Sequence, residues 1–394
     1  MLLVPEMSKK VYVGMSGGVD SSLTAALLVE QGYDVTGVYM KNWTQNLPGL
    51  KCPWADDLAD AKRVAVQLGI DFKVFDFENE YKHKVVDYMI NEYKNGRTPN
   101  PDIMCNQEVK FKLFLETAIE DGADLIATGH YARVCHCCDD CTSILSERLR
   151  AGFDKGPGAL SNSGCRCSDK TDIQSSRRGL LLQAIDKNKD QTYFLYRVTG
   201  EALGRTLFPI GEYTKNQVRQ MAAERGLITA NKKDSQGICF VGQIGIRDFL
   251  SQYVDFIPGD IIDKKTGKVL GRHDGAIFYT LGQRHGLDVG GGLPYYVVGK
   301  DMEKNEVYVT TDLNDENLWI NNIRLTDVHW INETPVAGRY QIRVRHRAPL
   351  NQASLNLNDG QVILGLDNPE RAVTPGQSVV IYDGEICLGG GIVI

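Results

Sequence analysis

Residues 14–22 of this 394-residue chain read Gly-Met-Ser-Gly-Gly-Val-Asp-Ser-Ser, directly after the apolar run VYVGM (11–15) and directly before the helical pattern SSLTAALLVEQG (21–32). Adjacent glycines let a backbone approach an anion with no Cβ in the way. Ser16, Ser21 and Ser22 add hydroxyls, and a helix start supplies the positive end of its dipole. A strand that ends in such a turn is a phosphate cradle. The stretch has neither the GK[ST] of a Walker A loop nor the G-x-G-x-x-G of a dinucleotide fingerprint.

The same strand-then-helix alternation continues to residue 134. DVTGVYM (34–40), FKVFDF (72–77) and DLIATGHYARV (124–134) read as strands, and DLADAKRVAVQLG (57–69), a long segment ending near Gly96 and EVKFKLFLETAIEDG (108–122) read as helices. Alternation with connections this short predicts an α/β fold with a parallel, doubly wound sheet, whose ligand lies beyond the carboxyl ends of the strands. A helix is expected over TKNQVRQMAAERG (214–226), with Thr214 as N-cap and Gly226 as its stop. After about Ile257 short strands separated by Gly, Asn and Asp predict an antiparallel barrel or sandwich.

No run approaches the roughly 20 apolar residues that span a bilayer, and MLLVPEMSKK is unlike a signal peptide. The expectation is a cytoplasmic chain with no membrane partner, starting at Met1 or at Met7. With 44 basic and 50 acidic residues the net charge is −6, so a nucleic acid would be held by a local basic patch and not by a global field. RYQIRVRHR (339–347) offers such a patch. As one strand it would carry Arg339, Arg343, Arg345 and Arg347 on a single face. Tyr193, Phe194 and Tyr196, between Lys187, Lys189 and Arg197, read as core before they read as a stacking surface.

Ten cysteines in a reducing compartment point to catalysis or metal and away from structural disulfides. Cys105 lies in the turn-rich GRTPNPDIMCN (96–106), a few residues before the helix expected near Glu108, where the dipole and Lys110 could lower a thiol pKa. Cys239 lies in the polar loop KDSQGICF (233–240). Two loop cysteines this far apart fit reversible thiol chemistry. Six others crowd 135–167, inside a segment (135–179) with eight apolar residues besides Cys among 45. That composition predicts a mostly disordered insertion. The alternative is a zinc site built from Cys138, Cys141, Cys165 and Cys167, with His136 as a further ligand.

Taken together, GMSGGVDSS, MKNW (40–43), GRTPNPDIMCN, ATGHYAR (127–133), NKDQTYFLY (188–196), KKDSQGICF (232–240), YTLGQRHGL (279–287) and TPGQSVVIYDGEICLGGG (374–391) resemble the tRNA-specific 2-thiouridylases, PP-loop ATP pyrophosphatases that act on the wobble uridine. The resemblance implies an ATP-binding PP-loop domain over 1–210, a small central domain over 211–288 carrying Cys239, and a C-terminal antiparallel β-barrel over 289–394 that holds tRNA. It implies adenylation of the uridine 2-carbonyl by ATP with Mg2+, then sulfur transfer from a persulfide. The family's nucleophile matches Cys105, with Asp102 as acid–base partner. Its persulfide carrier matches Cys239, and the pair closes a transient disulfide. Its ATP contacts match Gly14, Met15, Ser16, Gly17, Gly18, Val19, Asp20, Ser21, Met40 and Gly129. Contacts to the target base match Asn100, Pro101 and Asp102, and other tRNA contacts match His130, Lys189, Asp190, Gln191, Arg345, His346 and Gln377. The implied partners are the tRNAs for Lys, Glu and Gln and a cysteine desulfurase or sulfur-relay protein. Where the family passes from ATGHYAR to the KDQ segment by a short hairpin, this chain inserts 135–179. Two rival readings are a different PP-loop tRNA-modifying or amidotransferase-type pyrophosphatase, and a non-catalytic zinc- and RNA-binding protein.

Overall fold

The computed structural model describes residues 8–45, 54–136, 178–233, 246–287, 289–290, 292–358 and 361–394. Strands β1 (Lys10–Gly14), β2 (Asp34–Lys41), β3 (Asp71–Asp76) and β4 (Leu125–Thr128) pair in parallel, with helices α1 (Val19–Glu30) and α2 (Trp54–Leu68) as crossovers. Val11, Tyr12 and Val13 are fully buried, as expected of a parallel strand covered on both faces. β5 (Ala132–Cys135) and β6 (Leu180–Gln183) form an antiparallel hairpin, and β7 (Thr206–Leu207) then returns to the parallel sheet, giving the order β3-β2-β1-β4-β7. The chain winds outward from β1 to β3, then restarts on the other side of β1 with β4. The switch point therefore lies beyond the carboxyl ends of β1 and β4, where the cradle sits.

Residues 124–134, expected as one strand, are two strands in different sheets. The chain turns at 129–131 because Gly129 is pressed onto the first turn of α1, where a Cβ would come within 2.7 Å of the Ser21 nitrogen. β5 and β6 leave the parallel sheet, and β6 pairs with a strand some 200 residues later.

The helix expected from Glu108 begins at Pro101. Asn100 accepts hydrogen bonds from the backbone of Asp102 (3.1 Å) and Ile103 (3.4 Å), with Pro101 at the first helical position. Helical backbone then runs through the π-type stretch Cys105–Leu113 into Phe114–Glu120. Cys105 thus lies within a helix and not in a loop ahead of one.

The expected helix after Thr214 is α3 (Lys215–Glu224). It is held by a capping box, with Thr214 N donating to Gln217 Oε1 at 2.8 Å, and ended by Gly226 at φ +61. Its Val218 and Ala222 join Val19, Leu23 and Leu27 of α1 in one buried cluster.

A second sheet contains β8 (Gly259–Asp263), β9 (Val269–His273), β10 (Tyr296–Asp301) and β11 (Glu306–Thr310), in the order β10-β11-β8-β9. β10 and β11 lie past residue 288 yet pair with each other and with β8, not with the barrel. The barrel comprises β12 (Trp319–Trp330), β13 (Gly338–Arg343), β14 (Asn351–Asn358), β15 (Gln361–Arg371), β16 (Ser378–Asp383) and β17 (Ile386–Val393). These run β12-β15-β14-β13-β16-β17, and β17 closes onto β12. The β5–β6 hairpin docks on β17 through Leu182 and Leu181, which ties the barrel to the parallel-sheet half of the molecule.

Candidate active site

The turn between β1 and α1 is internally braced. Ser16 N donates to Ser21 Oγ at 3.1 Å, and Ser21 Oγ and Ser22 Oγ donate to the Gly18 carbonyl at 3.2 and 2.8 Å. Gly18 occupies the N-cap and no side chain caps the amides there, so the unpaired N–H groups of the first turn are left for an anion. Gly17 sits at φ +72, and a Cβ on it would collide with the Asp57 carbonyl oxygen of α2. Gly14 and Met40 lie side by side at the ends of β1 and β2, 3.0 Å from a Cβ at 14 to Met40 Cε. Gly129 closes the crevice from the β4 side. The structure brings together Gly14 through Ser21, Met40 and Gly129.

Asp20, in the first turn of α1, is held by two groups. Lys215 Nζ donates to its two carboxylate oxygens at 2.8 and 2.9 Å, and the Tyr131 hydroxyl donates to Oδ1 at 2.9 Å. Lys215 lies on α3, nearly 200 residues from Asp20. His130 is enclosed by Phe111 and Phe208, with ring centroids at 5.6 and 6.1 Å, and Nδ1 lies 2.8 Å from Thr128 Oγ1. Burial, with Lys110 adding to it, holds its imidazole well below the ordinary histidine value, so it is neutral.

Asp102 and Cys105 lie three residues apart in helical backbone and so share a face. Cys105 is 1% exposed, in the same buried cluster as Ile103, Val109 and Tyr193. Asn106 Nδ2 donates to the Phe194 carbonyl at 3.0 Å. The barrel reaches this segment through Thr98 N, which donates to the Pro375 carbonyl at 2.9 Å, so Gln377 belongs to a turn docked two residues before Asn100. His346 stacks on Phe194 with centroids 4.5 Å apart. Burial first, then Arg347 and Arg343, brings its pKa down to about 4.

Tyr193 and Tyr196 are core, as expected, and their hydroxyls are 2.9 Å from the Ser378 carbonyl and 3.1 Å from Ser378 Oγ. The four-arginine face does not form. β13 ends at Arg343, Arg347 has φ +63, and the Arg343 guanidinium turns inward to Asp190 at 2.9 Å. Arg345 instead donates to the Arg371 carbonyl (2.9 Å) and the Ala372 carbonyl, and Arg339 pairs with Asp367. Asp190 is 1% exposed and also accepts from Ala184 N and the Thr192 hydroxyl. Gln191 clasps Tyr131 by two bonds of 2.8 Å, backbone to backbone and Tyr131 N to Gln191 Oε1. Lys189 is half-buried in the same loop.

Cys239, Cys52 and the zinc candidates Cys138, Cys141, Cys165 and Cys167 lie outside the described residues. His136 is described, and its Nε2 lies 2.9 Å from the Thr206 carbonyl oxygen. Just before the Cys239 segment, Lys232 Nζ is anchored to Asp57 at 2.8 Å and Asp60 at 2.7 Å on α2, beside Gly17. Cys387 is buried, which pushes its thiol well above the usual range and suppresses the thiolate.

Three family models tile the chain: a tRNA methyl transferase HUP domain over 9–243, a tRNA methyl transferase PRC-barrel domain over 247–311 and an aminomethyltransferase beta-barrel domain over 320–393. The chain is 44% identical over 389 residues to the tRNA-specific 2-thiouridylase MnmA of Bacillus subtilis (strain 168), covering 98% of this chain and 94% of that one. It is 43% identical over 390 residues to the MnmA of Alkaliphilus oremlandii (strain OhILAs), covering 98% and 96%. The chain belongs to the tRNA-specific 2-thiouridylase family. The second range holds all four strands of the central sheet of this thiouridylase-family chain, β10 and β11 included.

Two residues of this crevice escape a reading of the sequence. Tyr131 lies inside ATGHYAR with no local sign of its partner. Lys215 did leave a signal: a lysine at the first position of a helix opposes the dipole and calls for a nearby carboxylate, which is Asp20. For the cradle itself, Gly17→Ala is expected to lower ATP-dependent AMP formation by about a hundredfold, because the displaced turn no longer meets the phosphates. Normal AMP formation by this variant, measured by chromatography of the nucleotides, would show that the turn does not hold them.

Proposed function

We propose that this protein is a tRNA sulfurtransferase that uses ATP to replace the oxygen on carbon 2 of the wobble uridine with sulfur. The observation that carries the reading is the uncapped cradle at the switch point, with the helical run that starts with Asp102 and Cys105 reaching Gly14 through Phe114 and the barrel turn at Pro375 docked just before its start. A methyl transfer, which two of the family models mention by name, has no use for a polyphosphate cradle.

ATP fits the site because the first turn of α1 offers backbone amides with no side-chain cap, in a turn that Gly17 and Gly129 let α2 and β4 press close against. Asp20 would hold Mg2+ by exchanging its Lys215 and Tyr131 partners for the ion, and the ion would supply charge neutralisation for the departing pyrophosphate. In the proposed sequence the uridine 2-oxygen attacks the α-phosphorus, the bond to the β-phosphate oxygen breaks, and pyrophosphate leaves. The terminal sulfur of a Cys239 persulfide then attacks carbon 2 and expels AMP. Finally the Cys105 thiolate attacks the Cys239 sulfur, the S–S bond to the transferred atom breaks, and that atom departs as the thiocarbonyl. The pair is left as a Cys105–Cys239 disulfide, which a thiol reductant reopens before the next turnover. Asp102, on the same helical face, takes the Cys105 proton.

Asn100, Pro101 and Asp102 would seat the base, with Asn100 acting also as the cap that holds the helix start. Lys189, Gln191, Arg345, His346 and Gln377 would meet the rest of the tRNA. Buried Asp190 and His130 would act by positioning, Asp190 through Arg343 and His130 through the crevice wall. The tRNAs for Lys, Glu and Gln are the proposed substrates, a cysteine desulfurase or sulfur-relay protein the proposed donor, and the cytoplasm the proposed site of action. Among the described residues no helix is long and apolar enough to cross a membrane.

The test is incubation with tRNA, ATP, Mg2+, cysteine and a cysteine desulfurase, followed by mass spectrometry of digested tRNA. 2-Thiouridine with equimolar AMP and pyrophosphate is expected. ADP and orthophosphate as products would overturn the assignment.

A further inference from the structure

One motif of the chain, YTLGQRHGL, has no role in the site described so far. Its residues 280–286 form a loop of the central domain that is half-buried as far as Gln283, exposed from Arg284 to Gly286 and braced by its own hydrogen bonds. Tyr279 OH donates to the Gly286 carbonyl at 3.0 Å, Thr280 N to Gln283 Oε1 at 3.0 Å, and Gln283 Nε2 to the His285 carbonyl at 2.9 Å. Gly282 N donates to the Val297 carbonyl at 2.8 Å and Val297 N to the Gln283 carbonyl at 3.0 Å, pinning the loop to β10. So much bracing holds Arg284 and His285 outward as exposed side chains on a rigid platform.

The platform abuts both the catalytic helix start and the barrel. Thr280 Oγ1 lies 3.4 Å from Thr98 Oγ1, two residues before Asn100. Gly282 packs on Ala372, 2.5 Å from an ideal Cβ to the Ala372 Cβ, and the Ala372 carbonyl also accepts from Arg345. Arg371, next in the chain, lies over the Tyr296 ring at 4.8 Å. Arg284 therefore sits on a loop in contact with the segment proposed to seat the base, and Arg345 and Arg347 are exposed on the barrel, whereas Arg371 keeps Nε and Nη2 buried. On a chain of net charge −6, an exposed guanidinium carried on a braced loop beside that segment suits a polyanion.

We infer that the Thr280–Gly286 loop is a tRNA contact, with Arg284 gripping backbone phosphate next to the target uridine. This deepens the proposed function and rests on tRNA being the substrate. Rigid guanidinium–phosphate contacts set register without reading sequence, so the loop orients the RNA arm and leaves base choice to the pocket.

The experiment measures tRNA affinity by filter binding across a salt series, with Arg284→Gln, Arg284→Lys and, as a control for lost charge elsewhere on the same sheet, Lys268→Gln. Arg284→Gln is expected to weaken binding about tenfold near 0.1 M salt and to reduce the log–log salt slope by about one unit. Arg284→Lys should keep the slope, and Lys268→Gln should match wild type. Wild-type affinity and slope in Arg284→Gln would overturn the inference. So would unchanged tRNA binding with slower persulfide loading from a desulfurase, which would assign the loop to a protein partner. Wild-type protein that binds tRNA through Arg284 but forms no 2-thiouridine would leave this contact standing and remove the proposed function. Wild-type thiolation with Arg284→Gln indistinguishable from it would do the reverse.

Discussion

Cys105→Ser and Cys239→Ser are each expected to abolish 2-thiouridine formation, with rates at least about a thousandfold below wild type, while failing at different steps. A hydroxyl cannot carry a transferable sulfane sulfur, so Cys239→Ser should take up no label from radiolabelled cysteine and a desulfurase. Cys105→Ser should take it up and release it to reductant, because its defect lies in resolving the chemistry and not in loading. Neither change touches the bracing of Ser16, Ser21 and Gly18, so tRNA-dependent AMP formation should persist in part in both. Cys387→Ser serves as the internal control: its thiol is buried and its pKa raised well above the usual range, and thiolation should be unaffected. The roles are wrongly assigned if Cys239→Ser still thiolates tRNA, or if the persulfide maps to Cys387.

Asp190→Ala is expected to destabilise the fold by about 3–5 kcal/mol, because it strands the buried Arg343 guanidinium without its counter-charge. Asp190 Oδ2 lies 2.9 Å from Arg343 Nη1 with both side chains almost wholly buried, and the carboxylate further accepts from Ala184 N at 3.1 Å and Thr192 Oγ1 at 2.9 Å. The double variant Asp190→Ala with Arg343→Met should recover a large part of the loss, since it removes the orphaned charge along with its partner. Urea unfolding followed by tryptophan fluorescence measures both. A single-variant loss under about 1 kcal/mol, or a double variant no better than the single, would mean that the pair is not the charge-balancing contact between the Lys189–Gln191 loop and the barrel.

That pair also shows where a reading of the sequence stops. Arg339, Arg343, Arg345 and Arg347 alternate as if along one strand face, and residue spacing alone assigns them to one RNA-binding row. The strand ends at Arg343, however, and a buried carboxylate 153 positions away turns that arginine inward. Alternation reports which residues would share a face if the strand continued. It carries no information on whether a partner strand exists to continue it.

Elements whose causes are local were legible in the sequence. The cradle followed from two glycines and three serines between an apolar run and a helix, the parallel sheet from the alternation of periods, and the start and stop of α3 from Thr214, Gln217 and Gly226. Each involves residues within one or two turns of one another, so the chemistry of the segment is sufficient. Long-range packing decided the break of 124–134 into two sheets, the placement of Lys215 and Tyr131 on Asp20, the inward turn of Arg343 to Asp190, and the contact of the Thr280 loop with Thr98. These depend on which surfaces a long-range fold presses together, and a buried ion pair or a Cβ-forbidding contact between segments a hundred or more residues apart leaves almost no trace in either segment alone.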